Sequence, residues 1–143
     1  MSIIFGTRKS PEAIVTRQEM LYLASATERY APDGTSIATH GHIGMGFQPY
    51  HTHERSNLES QPVKDALGNM LSLDGRIDNH AELRDLLDIR EKDAPDSLIT
   101  LTAFLRWGGA CFSRFIGDWA IVIWSVSNRQ IYLARDHAGT RTL

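Results

Sequence analysis

The stretch Leu71-Ser72-Leu73-Asp74-Gly75-Arg76-Ile77-Asp78-Asn79-His80 reads as a buried strand that breaks at Asp-Gly and drops into a helix. A backbone turning sharply at a strand end presents its amides and one side chain beyond the sheet edge. Asp74 and Gly75 are therefore a candidate floor for a small-molecule site. Asp74 also has a plainer reading, as a residue chosen only because Asp-Gly forms turns. His40-x-His42 and His51-x-His53 set histidines at alternate positions, a spacing that can hold a metal on a strand. No acidic or cysteine ligands complete either pair, so solvated or turn histidines are the better reading. Asp118 and Asp136 could be paired carboxylates for acid–base work. Because they bound a hairpin, capping of strand ends or pairing with Arg135 is simpler. Trp119 and Trp124 could stack on a ligand, but on a strand this apolar they read as core.

The elements that must position these residues follow from pattern and punctuation. Ser2 to Gly6 is short, β-branched and aromatic, and reads as a strand. From Thr16 to Glu28 apolar residues recur at near-helical spacing, with Thr16 as N-cap. Pro32-Asp33-Gly34 is a turn. Thr35 to Thr39 and His42 to Gln48 form a hairpin through His40-Gly41, and His51 to Pro62 is loop. After the strand Met70 to Leu73, Asn79 reads as a helix N-cap with Glu82 as its capping-box partner. Asp96 opens a second helix whose inner face is Leu98, Leu101, Thr102 and Leu105, ended by Gly108-Gly109. Trp119 to Trp124 is a strand buried on both faces, and Gln130 to Ala134 returns beside it after the Ser127-Asn128-Arg129 turn. Strands flanking a central helical pair, joined by hairpins, predict an α+β layered domain.

Composition narrows the function classes. A chain of 143 residues fits one domain, and 42% hydrophobic residues suffice for a sizeable core. With a net charge of -2 and both signs interspersed, nothing electrostatic argues for nucleic acid or an anionic membrane. No apolar run approaches a membrane span and the N-terminus is too short for a signal peptide. The lone Cys111, between Ala110 and Phe112, reads as a buried structural thiol and fits a reducing, cytoplasmic compartment.

Several motifs in order are specific. They are Arg29-x-x-Pro32-Asp33-Gly34, Gln61-Pro62, Asp74-Gly-x-Ile-x-Asn-His80, an Asp96-opened helix ending in Trp107-Gly108, Gly117-Asp-Trp-Ala-Ile-x-Ile-Trp124, and Ala134-Arg-Asp-His-x-Gly139. This resembles the class II glutamine amidotransferase domain found at the N-terminus of asparagine synthetases, over residues 1–143. The resemblance implies the N-terminal-nucleophile hydrolase fold, an αββα sandwich of two antiparallel sheets, here truncated at the C-terminus. It also implies a chemistry: an N-terminal cysteine exposed by loss of the initiator Met attacks the glutamine carboxamide, with its own α-amine as base. An Asn-Gly at a strand end supplies the oxyanion donors, and an Asp opening a later helix holds the substrate's α-amino group.

Carried over, the catalytic positions are altered. Ser2 stands at the nucleophile position, and a hydroxyl is a weaker nucleophile than a thiolate. Ile3 replaces a glycine and crowds the space beside it. Asp74 stands for the oxyanion-hole Asn, and an ionised carboxylate only accepts hydrogen bonds. Losing one such donor costs about 2.7–4 kcal/mol. Gly75 keeps its backbone amide, Asp96 matches the substrate-amine position, and Arg55 is the nearest counterpart of the arginine that grips the substrate carboxylate. A retained fold with a lost nucleophile resembles the β-lactam synthetase and lasso-peptide macrocyclase branch, which forms amides from an amine already on the substrate.

The expected function is therefore an amidotransferase-like domain of an asparagine synthetase-like, ATP-dependent amide-forming ligase, with glutaminase activity lost and a scaffolding role. The expected partner is a C-terminal synthetase domain, which would carry the ATP and Mg2+ and whose substrate would be a peptide or amino acid. This chain itself is expected to need no cofactor. It ends at Arg141-Thr142-Leu143, before that domain and the family's remaining strands, so it reads as a fragment or a free-standing copy. A sheet edge exposed there would be covered by a partner or by homo-oligomerisation. The alternatives are an active serine-type N-terminal-nucleophile amidohydrolase and a non-catalytic binding or assembly module.

Overall fold

The structure is a computed structural model that describes residues 1–52 and 54–143. Strand β1 (Ile3–Arg8) is followed by helix α1 (Arg17–Ser25) and the hairpin β2 (Ser36–His40) and β3 (Ile43–Gln48). Then come β4 (Val63–Lys64), β5 (Met70–Ile77), helices α2 (His80–Leu86) and α3 (Asp96–Trp107), and the hairpin β6 (Gly117–Ser125) and β7 (Gln130–Arg135). The strands make two antiparallel sheets, β1-β3-β2 and β4-β5-β6-β7. Helix α1 lies on the first sheet, and α2 with α3 lies beside the second. The result is the α+β layered domain the pattern predicts, and its two antiparallel sheets are compatible with the N-terminal-nucleophile hydrolase sandwich that the resemblance implies.

Each layer has its own physical cause. On the α1 side, Gly44 leaves room for Val15 and Met20, since a Cβ there would meet the Met20 sulfur at 2.4 Å. A full capping box at Thr16 and Glu19 starts α1, as the spacing predicts. Between the sheets, Ile43, Met45, Met70 and Trp124 form a small apolar layer. On the far side, Leu71, Leu73 and Ile77 of β5 join Ile99, Phe104, Trp119 and Ile121 in the larger core. Cys111 is fully buried in this core, and burial pushes its thiol up to about 12.

Several local expectations are corrected. The strand does not break at Asp74-Gly75. Gly75 takes φ +125°, and the ladder with β6 continues through Asp74↔Ala120, Gly75↔Trp119 and Ile77↔Gly117. Only glycine fits, because a Cβ would lie 1.9 Å from the Asp118 carbonyl oxygen. The loop 51–62 contains a 3-10 helix over Glu54–Leu58. Helix α2 starts after Asn79, but the Asn79 side chain does not cap it by bonding its amides. It accepts from Ile116 N (2.9 Å) and donates to the Arg114 carbonyl (2.9 Å), tying the entry of α2 to the segment before β6. The inner face of α3 is Asp96, Ile99, Thr100, Ala103 and Phe104 with Leu101, whereas Leu98 and Leu105 point outward.

Candidate active-site pocket

The site is built where the ends of the two sheets meet. Residues alternate across β5, so Met70, Ser72 and Asp74 face the first sheet while Leu71, Leu73 and Ile77 face the helices. Ser2 immediately precedes β1, whose first residue pairs with Gln48 of β3. The Ser2 backbone N–H donates to Asp74 Oδ1 at 2.8 Å, and Ser2 Oγ accepts from Tyr50 N at 3.1 Å. Residue 2 is thus held between the two sheets. Asp74 is only 4% exposed, and Arg141 Nη1 lies 3.7 Å from its other oxygen. Burial pushes the Asp74 carboxyl above the ordinary carboxylate range, against the opposing pull of the Ser2 N–H and of Arg141.

The open edge of β5 explains why a pocket forms there. β4 pairs with β5 only at Met70 and Leu71, so further along the strand other groups must satisfy the backbone. Gln61 does this for Leu73, accepting from its N–H at 2.6 Å and donating to its carbonyl at 3.1 Å. Asp96 and Arg55 do it for Ile77: Asp96 Oδ2 accepts from Ile77 N at 2.9 Å, and Arg55 Nη2 donates to Ile77 O at 3.1 Å. Gly75 lies midway on the same edge and has no such partner among the described residues. Its edge lines the pocket together with Ser2, Asp74, Glu59 and Arg141. The gap between two side-chain splints is where a ligand oxygen could meet a backbone amide.

The structure therefore separates the positions picked from sequence. Ser2, Asp74 and Gly75 come together in the pocket. Asp96 and Arg55 do not line it. They sit beyond Ile77, with Arg55 Nε 3.6 Å and His80 Nε2 3.9 Å from Asp96 Oδ1. His80 Nε2 is 2.7 Å from the Ala94 carbonyl, which can only accept, so that nitrogen carries the proton.

Glu59, Gln61 and Arg141 have no site role in the sequence reading, and Asp136 enters it only as a candidate partner of Asp118. Glu59 accepts from Ser97 N (3.1 Å) and from Gln61 Nε2 (3.1 Å), filling the capping role that Pro95 cannot perform for α3. Burial pushes its carboxyl upward. The Gln61-Pro62 motif was the signal available for this splint.

The other candidates resolve into structure. The His40 ring lies over Gly68, and the His42 ring meets Trp124 edge-on at 5.3 Å. His51 lines the pocket, while His53 lies outside the described residues. Among the described residues no three His, Cys, Asp or Glu side chains group as metal ligands. Asp118 faces Arg76 (3.7 Å), Asp136 binds the turn that follows it, and among the described residues neither forms an ion pair with Arg135. Trp119 and Trp124 are core, each 3% exposed. No helix among the described residues is long and apolar enough to cross a membrane.

A two-sheet sandwich that brings residue 2 to a strand-edge glycine amide has the layout of an N-terminal-nucleophile hydrolase. The chain belongs to the glutamine amidotransferase domain family, whose model it matches over residues 1–143. No curated protein matches it.

Proposed function

We propose that this chain is the amidotransferase-like domain of an asparagine synthetase-like, ATP-dependent amide-forming ligase, with its glutaminase activity lost and a scaffolding role kept. The observation that carries the reading is the 2.8 Å contact from Ser2 N to the Asp74 carboxylate. The nucleophile's own nitrogen must be a free base for glutamine hydrolysis in this fold. In the structure that nitrogen is a peptide amide, because Met1 precedes it. Loss of Met1 would turn it into an ammonium at the same place, and Asp74 would then hold it charged. A carboxylate there also repels the developing oxyanion that Gly75 alone would stabilise.

A synthetase domain would supply ATP and Mg2+ chemistry and the peptide or amino-acid substrate, as in the β-lactam synthetase and lasso-peptide macrocyclase branch. β1 and β7 each pair on one side only, which offers edges for such a domain to cover. A cytoplasmic location suits the buried free thiol.

The test is glutamate release from glutamine by protein whose Met1 has been removed, as verified by intact mass. No release above background is expected. Brisk turnover that disappears in Ser2→Ala would instead establish a working serine amidohydrolase.

A further inference from the structure

Asp136 sits buried at the end of β7 and ties a knot. Its N–H donates to the Trp119 carbonyl at 2.8 Å, and its carboxylate accepts from Trp119 N at 3.3 Å. The same carboxylate accepts from Thr140 N and Thr140 Oγ1 at 3.1 Å and from Arg141 N at 3.4 Å. Its carbonyl accepts from Gly139 N at 3.0 Å. This knot fixes residues 136–141 and sends the Arg141 side chain back over β5 to Asp74. The 3.7 Å separation is too long for a hydrogen bond but close for two charges. Arg141 Nε is buried and meets no acceptor among the described residues. The guanidinium is therefore placed by its backbone and by charge, not by a fork of hydrogen bonds. Arg76, the other arginine lining the pocket, is turned to Asp78 (2.7 Å) and Asp118 (3.7 Å).

We propose that Arg141 is a positioning residue: delivered by the Asp136 knot to 3.7 Å from Asp74, its guanidinium favours the carboxylate form of the acceptor that meets Ser2 N. A carboxylate this buried holds a proton more tightly when a neighbouring cation is removed. The groups that bear on Asp74 are the Ser2 N–H, Arg141 and the Met1 α-amine, and the other titratable or charged side chains lining the pocket are Glu59, His51 and Arg76. Arg141 thus sets the charge of the pocket floor, and Asp136 sets Arg141. The inference does not depend on whether glutamine is turned over.

The experiment is a carboxyl 13C NMR titration of Asp74 in the unaltered chain and in Arg141→Gln, Arg141→Lys and Thr140→Ala. Arg141→Gln should raise the Asp74 midpoint by about one unit, a tenfold tighter hold on the proton. Arg141→Lys should return most of that shift, and Thr140→Ala, which loosens the knot, should raise the midpoint by less. An unchanged midpoint in Arg141→Gln, or equal shifts in the Gln and Lys variants, would overturn the assignment. If Arg141→Gln fails to fold, the remaining pair decides. A near-native midpoint in Arg141→Lys with a raised one in Thr140→Ala supports the role, and any other pattern refutes it.

Discussion

Asp74 and Asp96 lie on either side of the same strand end, and both are almost wholly buried. Asp96 is spent on structure: it replaces a missing neighbouring strand at Ile77, with Arg55 completing the pair. Asp74 makes its contacts across the sandwich, to residue 2 and to Arg141, and it faces a pocket. Two positions that the family resemblance assigns to one substrate are thus divided between a splint and a cavity. The difference teaches that burial alone does not mark a site. What marks this one is the unsplinted glycine between Gln61 and Asp96.

That comparison can be broken at several points. The largest effect is expected at Gly75→Ala, where a Cβ has no room and φ +125° excludes other residues. The loss should be about 3 kcal/mol or more in urea denaturation. A near-neutral variant would mean that the ladder does leave off at Asp74. Asp96→Ala should cost about 2 kcal/mol, because the Ile77 amide is left buried without an acceptor. Stability within about 0.5 kcal/mol of the unaltered chain would remove Asp96 from the splint.

Asp136 sharpens the contrast through pH. Burial pushes its carboxyl upward, but hydrogen bonds from Thr140, Arg141 and Trp119 outweigh that and hold it at about 2. The unfolded value is about 3.9. Its contribution is therefore full above the unfolded value and is lost as pH falls through the folded one. Asp136→Asn should be less stable at neutral pH and should lack this acid-limb dependence in thermal melts followed across that range. Asp74 and Glu59, both pushed up by burial, have the opposite sign: their cost at neutral pH fades as they protonate. The smallest effect is expected at Leu105→Gln on the outer face of α3, within about 0.5 kcal/mol. A loss of several kcal/mol would restore the inner face first read from the sequence.

Much of the layering was legible because local signals agreed. Thr16 with Glu19 started α1, Gly41 at φ +56° closed the β2–β3 hairpin, and the apolar run from Trp119 to Trp124 became a central strand. The face of α3 differs from the expected one because Leu98, Thr102 and Leu105 recur at helical spacing as Ile99, Ala103 and Phe104 do, with Leu101 common to both readings. Periodicity cannot choose between two apolar stripes, and packing against β5 does. In the site, motif order named residue 2, Asp74 and Gly75, which meet in one pocket, whereas the break expected at Asp74-Gly75 is absent. Arg141 and Glu59 were not legible, since each reaches its distant partner, Asp74 and Ser97, only after the chain closes; Asp136 was visible as an acid after β7, but not its hold on Trp119. A turn-forming residue and a charge near a chain end carry no local mark of such a contact.

On the proposed function, Asp74 holds the nitrogen of residue 2 in a form that does not serve as a base once Met1 is lost. This is tested most directly by 15N NMR titration of the Ser2 α-amine in protein lacking Met1. A free α-amine titrates at about 7.7–8.0. A midpoint clearly above that range is expected, falling back toward it in Asp74→Asn. A midpoint at or below the ordinary range in the presence of Asp74 would contradict it.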